Sequence, residues 1–118
     1  MKLQCLSYDC VRSWSEPLAD LDSESTLVLV FGAPKFMSDL SWVEPLSSAF
    51  PKATIAGCSS AGEILGAKIF DDSLSVSVAK LEKSRLMKAY ASVQTADESE
   101  AAGQALAKQL LAPDLRFV

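Results

Sequence analysis

The sequence of residues 55–64 is Ile55-Ala56-Gly57-Cys58-Ser59-Ser60-Ala61-Gly62-Glu63-Ile64. Its apolar start predicts a strand, and the small residues that follow predict a turn. Gly57 and Gly62 permit backbone angles and close approaches that a side chain would hinder. The small side chains leave backbone N–H groups and two hydroxyls accessible above the turn. We therefore interpret residues 57–63 as a candidate binding loop.

The segments before this loop predict a parallel strand–helix–strand unit. Residues 26–31 are apolar at every position after Thr26, which is typical of a strand covered on both faces. Residues 41–44 fit a capping box at the start of a helix that Pro51 ends. Residues 54–56 form the next strand, parallel to the first because a helix joins them. Ligands of open parallel sheets bind outside the carboxyl ends of the strands, where residues 57–62 would lie.

The segments after the loop predict a hairpin and a second helix. Apolar residues alternate with serines over residues 73–78, which indicates a half-buried strand, and residues 85–93 are its expected hairpin partner. Residues 95–98 fit a second capping box, followed by a helix that ends before Pro113. Gly103 within this helix predicts close packing, since glycine is unfavourable there.

The predicted fold class is α/β. We expect a layered mixed sheet, with a parallel strand–helix–strand unit followed by a hairpin and helix, as part of a larger domain. Near the N-terminus, residues 2–8 predict an edge strand with Leu3 and Cys5 on one face, and the spacing of Leu18 and Leu21 indicates a short helix.

The segment from Gly57 to Ile64 resembles the signature of the FIST domain, named for F-box and intracellular signal transduction proteins. The resemblance covers most of residues 20–118. It implies an intracellular sensory module for a small ligand, with an amino acid as the favoured candidate. The family's N-terminal domain is longer than this chain, so residues 1–118 are expected to be one domain corresponding to its first half. Residues 115–118 resemble the start of a strand, and we expect the chain to be truncated at its C-terminus.

Composition excludes several functions. The chain has no histidine, so it cannot by itself assemble a Ser-His-Asp or Cys-His system, and a histidine-ligated haem, which the resemblance would allow, has no ligand. We expect no enzyme activity, no cofactor and no metal site. The net charge of −4 and the absence of a basic cluster argue against nucleic acid. No segment is apolar enough to span a membrane, and three cysteines without a secretory signal predict reduced thiols in the cytoplasm.

Alternatives remain open for individual residues. Ser59 and Ser60 each fit the G-x-S-x-G nucleophile elbow imperfectly. Cys58 is either a reactive thiol or a small buried side chain. Glu63 either anchors a ligand ammonium or bonds within its own loop. The small residues could also serve close packing alone.

The ligand-binding hypothesis assigns contacts to Gly57, Cys58, Ser59, Ser60, Ala61, Gly62 and Glu63. Its expected partners are an amino acid or small carboxylate and a signalling partner or fused output domain. Exposed strand edges could also join copies of the chain. Two other functions stay open: an interaction module without a small ligand, and an enzyme completed by C-terminal residues beyond this chain.

Overall fold

The computed structural model describes residues 1–118, which divide into two compact units, residues 1–86 and residues 87–118. The first unit contains β1 (Lys2–Asp9), β2 (Ser13–Trp14), β3 (Thr26–Gly32), a 3₁₀ helix (Pro34–Met37), α1 (Val43–Ala49), β4 (Thr54–Ser59), β5 (Glu63–Leu65), β6 (Lys68–Phe70) and β7 (Leu74–Lys80). The second contains a 3₁₀ helix (Ala96–Glu98) and α2 (Ser99–Leu110). Neither α-helix has the length and apolar character needed to cross a membrane.

Five strands of the first unit form one mixed sheet in the order β2-β1-β7-β3-β4. β3 and β4 are parallel, with Val30 opposite Gly57 and Phe31 opposite Cys58. β7 is antiparallel to both of its neighbours, β1 and β3. β5 and β6 form a separate antiparallel hairpin. The predicted α/β class and the predicted parallel pair are confirmed.

The core lies against one face of this sheet, which we call the inner face. Its strand residues are Leu6, Val28, Val30, Leu74, Val76 and Val78, all buried. The first 3₁₀ helix, α1 and the residue that follows α1 cover them with the buried side chains of Phe36, Leu46 and Phe50 respectively. Each fully buried aliphatic or aromatic side chain contributes about 1.5–3 kcal/mol, so this layer is the main stabilising feature of the unit.

The opposite, outer face is less covered than the sequence predicts. Leu27 and Leu29 are half-buried, and Phe31 is 42% exposed. The prediction that β3 is covered on both faces is therefore wrong for the outer one. An all-apolar strand sequence does not distinguish double coverage from an apolar surface, because both lack polar residues at alternate positions.

Several local predictions are also wrong. Residues 85–93 form no strand, since β7 already has β1 and β3 on its two edges. Residues 115–118 form no strand either. Leu18 and Leu21 pack against the core from an irregular segment, where the Thr26 hydroxyl donates to the Leu21 carbonyl at 2.5 Å. β1 pairs with β2 only at Tyr8 and Asp9, so most of it lies at the sheet edge, as predicted.

Neither predicted capping box forms. α1 has Trp42 at its N-cap without a side-chain bond, and the Ser41 hydroxyl bonds the Tyr8 hydroxyl at 3.3 Å. Before α2, Glu98 accepts the backbone N–H of Gln94 at 2.8 Å, while the Thr95 side chain caps nothing. The second helix itself is confirmed. The prediction of close packing at Gly103 is wrong, since an added Cβ there would meet no atom within 4 Å.

Candidate functional site

The predicted binding loop is divided between two strands and a turn. β4 continues through Ser59, β5 begins at Glu63, and only residues 60–62 connect them. The backbone N–H of Ser60 donates to the Gly32 carbonyl at 2.8 Å, which places the turn directly at the carboxyl ends of the parallel strands. The sequence therefore located the turn correctly but began it three positions too early.

The two glycines of the loop have different roles. An added Cβ at Gly57 would lie 1.8 Å from the carbonyl oxygen of Val30, so glycine is required where β4 approaches β3. An added Cβ at Gly62 would meet no atom within 4 Å, and Gly62 does not have a positive φ. Close packing thus explains Gly57 and leaves Gly62 without a steric reason.

Glu63 is the buried polar residue at the end of the loop, with an exposure of only 2%. One carboxylate oxygen accepts the Ser60 hydroxyl at 2.8 Å. The other accepts the backbone N–H of Ser73 at 3.2 Å and the Ser73 hydroxyl at 3.1 Å. These bonds match the interpretation in which Glu63 bonds within its own loop, and they tie the turn to the residue just before β7.

An apolar cavity of about 230 Å³ opens beside this turn, and we call it the β3–β4 cavity. Of the seven predicted site residues, Gly57 and Cys58 line it; Ser59, Ser60, Ala61, Gly62 and Glu63 do not. The other lining residues are Val30, Gly32, Phe36, Met37, Trp42, Ile55, Ala56 and Leu74. Its wall therefore offers mainly apolar contact, whereas Cys58 is exposed and pairs with Phe31 of the outer face.

The sequence did not identify Phe36, Met37 and Trp42 as site residues. All three follow β3, and the Trp42 indole N–H donates to the Phe36 carbonyl at 3.3 Å. Trp42 reads as a core aromatic because it begins an apolar helical face. The only available signal was the end of the first strand near Pro34, which places the following residues beside the carboxyl end of β3.

The serines of the turn differ in their bonding. The Ser60 hydroxyl is bound to Glu63, whereas the exposed Ser59 side chain has no hydrogen bond within the chain. A free hydroxyl next to an apolar cavity can bind a polar group without breaking an internal bond. The chain contains no group of three or more potential metal ligands, and all three cysteines are unpaired.

A parallel strand pair within a mixed sheet, with α1 between its two strands, defines an α/β domain. Comparison with protein-family models matches residues 26–118 to the FIST N domain, and the chain belongs to this family. The family is one of signal-transduction sensory domains, as the sequence resemblance implied. No curated protein and no solved structure matches the chain.

Proposed function

We propose that this domain is an intracellular sensor that binds a small ligand at the β3–β4 cavity and the adjoining turn. The ligand has an apolar body and a polar end, such as a carboxylate, and apolar amino acids belong to this class. The observation that supports the proposal is the apolar cavity at the carboxyl ends of two parallel strands, beside the family's signature segment. A volume of about 230 Å³ suits a ligand smaller than typical drug-sized molecules.

In this proposal the apolar body packs against Phe36 and Trp42 inside the cavity. The polar end binds the Ser59 hydroxyl and the backbone N–H groups of Ala61 and Gly62, since the Ser60 N–H already donates to Gly32. Ser60 and Glu63 hold the turn in place through their mutual bond. Glu63 acts by positioning the turn, because its oxygens already accept three hydrogen bonds from the chain.

Signalling follows from the bonds between the turn and β7. A ligand that contacts residues 59–62 favours one arrangement of the turn, and Glu63 passes this preference to Ser73. The change in population is then detected by a signalling partner or a fused output domain in the cytoplasm. We propose no catalytic role, since Ser59 and Cys58 have no histidine to act as a base.

Thermal unfolding with a panel of amino acids and small carboxylates tests the proposal. A ligand at about 100 times its dissociation constant stabilises the fold by about 2.7 kcal/mol. For a domain of this size the unfolding midpoint then rises by roughly 10 °C. We expect a selective rise for one class of compound.

Substitutions test whether the ligand binds at the assigned residues. Ser59→Ala and Gly62→Val are expected to weaken binding without loss of fold, since Ser59 makes no side-chain bond and Gly62 has open space. Ser48→Ala, which changes an exposed serine on α1, is the matched control. Unchanged affinity in both test variants contradicts the assigned site.

An interaction module is the second candidate function. β4 has a neighbour only on the β3 side, and Phe31 is exposed on the outer face. An open strand edge and an apolar face are features by which sheets pair with other chains. Light scattering at increasing protein concentration tests this alternative: a concentration-dependent dimer supports it, and a strict monomer contradicts pairing between copies.

A further inference from the structure

A second cavity, of about 330 Å³, lies within residues 1–86 on the other side of the sheet. Its lining residues are Ser7, Asp9, Arg12, Ser13, Ser15, Leu65, Lys68, Phe70 and Ser73. Ser7 is paired with Ser75, which is paired with Phe31, so Ser7 belongs to the outer face. The Ser75 hydroxyl donates to the Ile64 carbonyl at 3.0 Å and holds the β5–β6 hairpin there. We call this space the hairpin cavity.

The hairpin cavity is rich in hydrogen-bond donors that the chain does not use. Arg12 and Lys68 both line it, and neither forms an ion pair. The hydroxyls of Ser7 and Ser13 make no hydrogen bond within the chain. The Ser15 hydroxyl oxygen accepts the Ser7 backbone N–H at 2.9 Å, which leaves its own hydrogen available. Two cations and three hydroxyl hydrogens can therefore face one ligand.

Asp9 is the one carboxylate among the lining residues. One of its oxygens accepts the backbone N–H groups of Arg12 at 2.6 Å and Val11 at 2.9 Å. These bonds, that of Arg12 first, lower the pKa of Asp9 below its ordinary value. Asp9 is therefore negatively charged at neutral pH. Together with the positive charges of Arg12 and Lys68, it gives the lining residues a net charge of +1.

The backbone at this cavity is strained. Ser13 has a φ of 64°, a left-handed conformation that is unfavourable for residues other than glycine. Such conformations persist where the surrounding structure holds them, and they are concentrated at binding sites. Ser13 lies in the same wall as Arg12 and Ser15.

We propose that the hairpin cavity binds the carboxylate of a small organic monoanion. Arg12 and Lys68 bind its oxygens together with the serine hydroxyls, because charge-assisted hydrogen bonds are the strongest available here. Leu65 and Phe70 contact its apolar part. The single net positive charge favours a monoanion over a dianion. This site is separate from the β3–β4 cavity and does not depend on the function proposed for it.

An NMR titration of the full chain with propionate, at constant ionic strength, tests this site. We expect saturable shifts of the backbone amide signals of Arg12, Ser13 and Lys68. Arg12→Gln and Lys68→Gln should each weaken binding roughly tenfold or more, the effect of losing one charged hydrogen bond. Lys52→Gln removes an exposed positive charge outside the cavity and should leave the affinity unchanged.

Three results would overturn the proposal. The first is the absence of saturable shifts at these amides. The second is an affinity that Arg12→Gln and Lys68→Gln both leave unchanged, or that Lys52→Gln lowers equally. The third is inorganic phosphate at pH 8 binding more than about tenfold tighter than propionate, since that would indicate a dianion site. Retained amide dispersion in each variant verifies the fold.

The two cavities are tested independently. Ser59→Ala should leave the propionate shifts at Arg12 and Lys68 unchanged. Arg12→Gln should reduce any midpoint rise caused by propionate, and it should leave unchanged the rise caused by a ligand whose effect Ser59→Ala reduces. Failure of one proposal therefore does not determine the other.

Discussion

The β3–β4 cavity and the hairpin cavity lie on opposite faces of the same sheet and have opposite chemistry. The first is lined by aromatic and aliphatic side chains around Gly57, and the second by serines, Arg12, Lys68 and Asp9. The β3–β4 cavity lies where the backbones of β3 and β4 approach each other closely at Gly57. The hairpin cavity is lined by side chains from the β1–β2 and β5–β6 hairpins. The comparison shows that one small sheet can present an apolar site and a charged site, because successive residues of a strand point to opposite faces.

The largest expected effect is on the backbone approach behind the apolar cavity. Gly57→Ala places a methyl group against the Val30 carbonyl and must push β4 away from β3. We expect a loss of about 3 kcal/mol or more in the free energy of unfolding, measured by urea denaturation. Gly62→Ala is the matched control and should change it by less than about 0.5 kcal/mol. Equal stability of the two variants would contradict the different roles of the glycines.

The next effect concerns the carboxylate that joins the turn to β7. Glu63→Ala leaves the buried Ser73 N–H and hydroxyl without their acceptor, so we expect a loss of roughly 2–3 kcal/mol. Ser60→Ala removes one bond and should cost about 1 kcal/mol. Urea denaturation of both variants measures these losses. A Glu63→Ala protein as stable as the wild type would show that these bonds do not hold the turn.

A smaller effect is expected in the second unit, where neither cavity lies. Gly103→Ala in α2 fills open space and removes a glycine from a helix interior. Helix content by circular dichroism should rise, and stability should increase by up to about 1 kcal/mol. A decrease would indicate a close contact at Gly103 that the structure does not contain.

The smallest effect is the pH dependence from the charged cavity. The pKa of Asp9 is lowered from 3.8 in the folded chain, so its bonds contribute stability above pH 3.8. That contribution is lost as the pH falls through the folded value. Midpoints of thermal unfolding for the wild type and Asp9→Asn should differ at pH 7 and converge below pH 3.8. A difference that is constant down to pH 2 would contradict this assignment.

The sequence predicted the parallel pair and the position of the turn because these features follow from local patterns. The apolar run before Gly32 and the small residues after Ile55 are each continuous in the chain. The neighbours of β7 could not be predicted in this way. Its pairing with β1 joins residues far apart in sequence, whereas the hairpin expectation used only its nearest strand-like segment.

The site was predictable only where it is made by one segment. Gly57 and Cys58 line the β3–β4 cavity and belong to the segment that the sequence indicated. Trp42 belongs to another segment and lines the cavity only because of how the chain packs. The hairpin cavity gave no sequence signal, since its lining comes from residues 7–15 and residues 65–73 and its serines and lone cations are ordinary surface residues. The prediction that β3 is covered on both faces was wrong for the outer face, because an apolar strand sequence does not show which elements pack on each face.

The fluorescence of Trp42 tests the central proposal most directly. In a Trp14→Phe protein, Trp42 is the only tryptophan, and it lines the β3–β4 cavity. Its emission is titrated with the panel compound whose effect on the unfolding midpoint is reduced by Ser59→Ala. We predict a saturable change of emission with the dissociation constant that thermal unfolding gives, because the ligand packs against the indole ring. An emission that stays unchanged at ten times that dissociation constant would contradict ligand binding at this cavity.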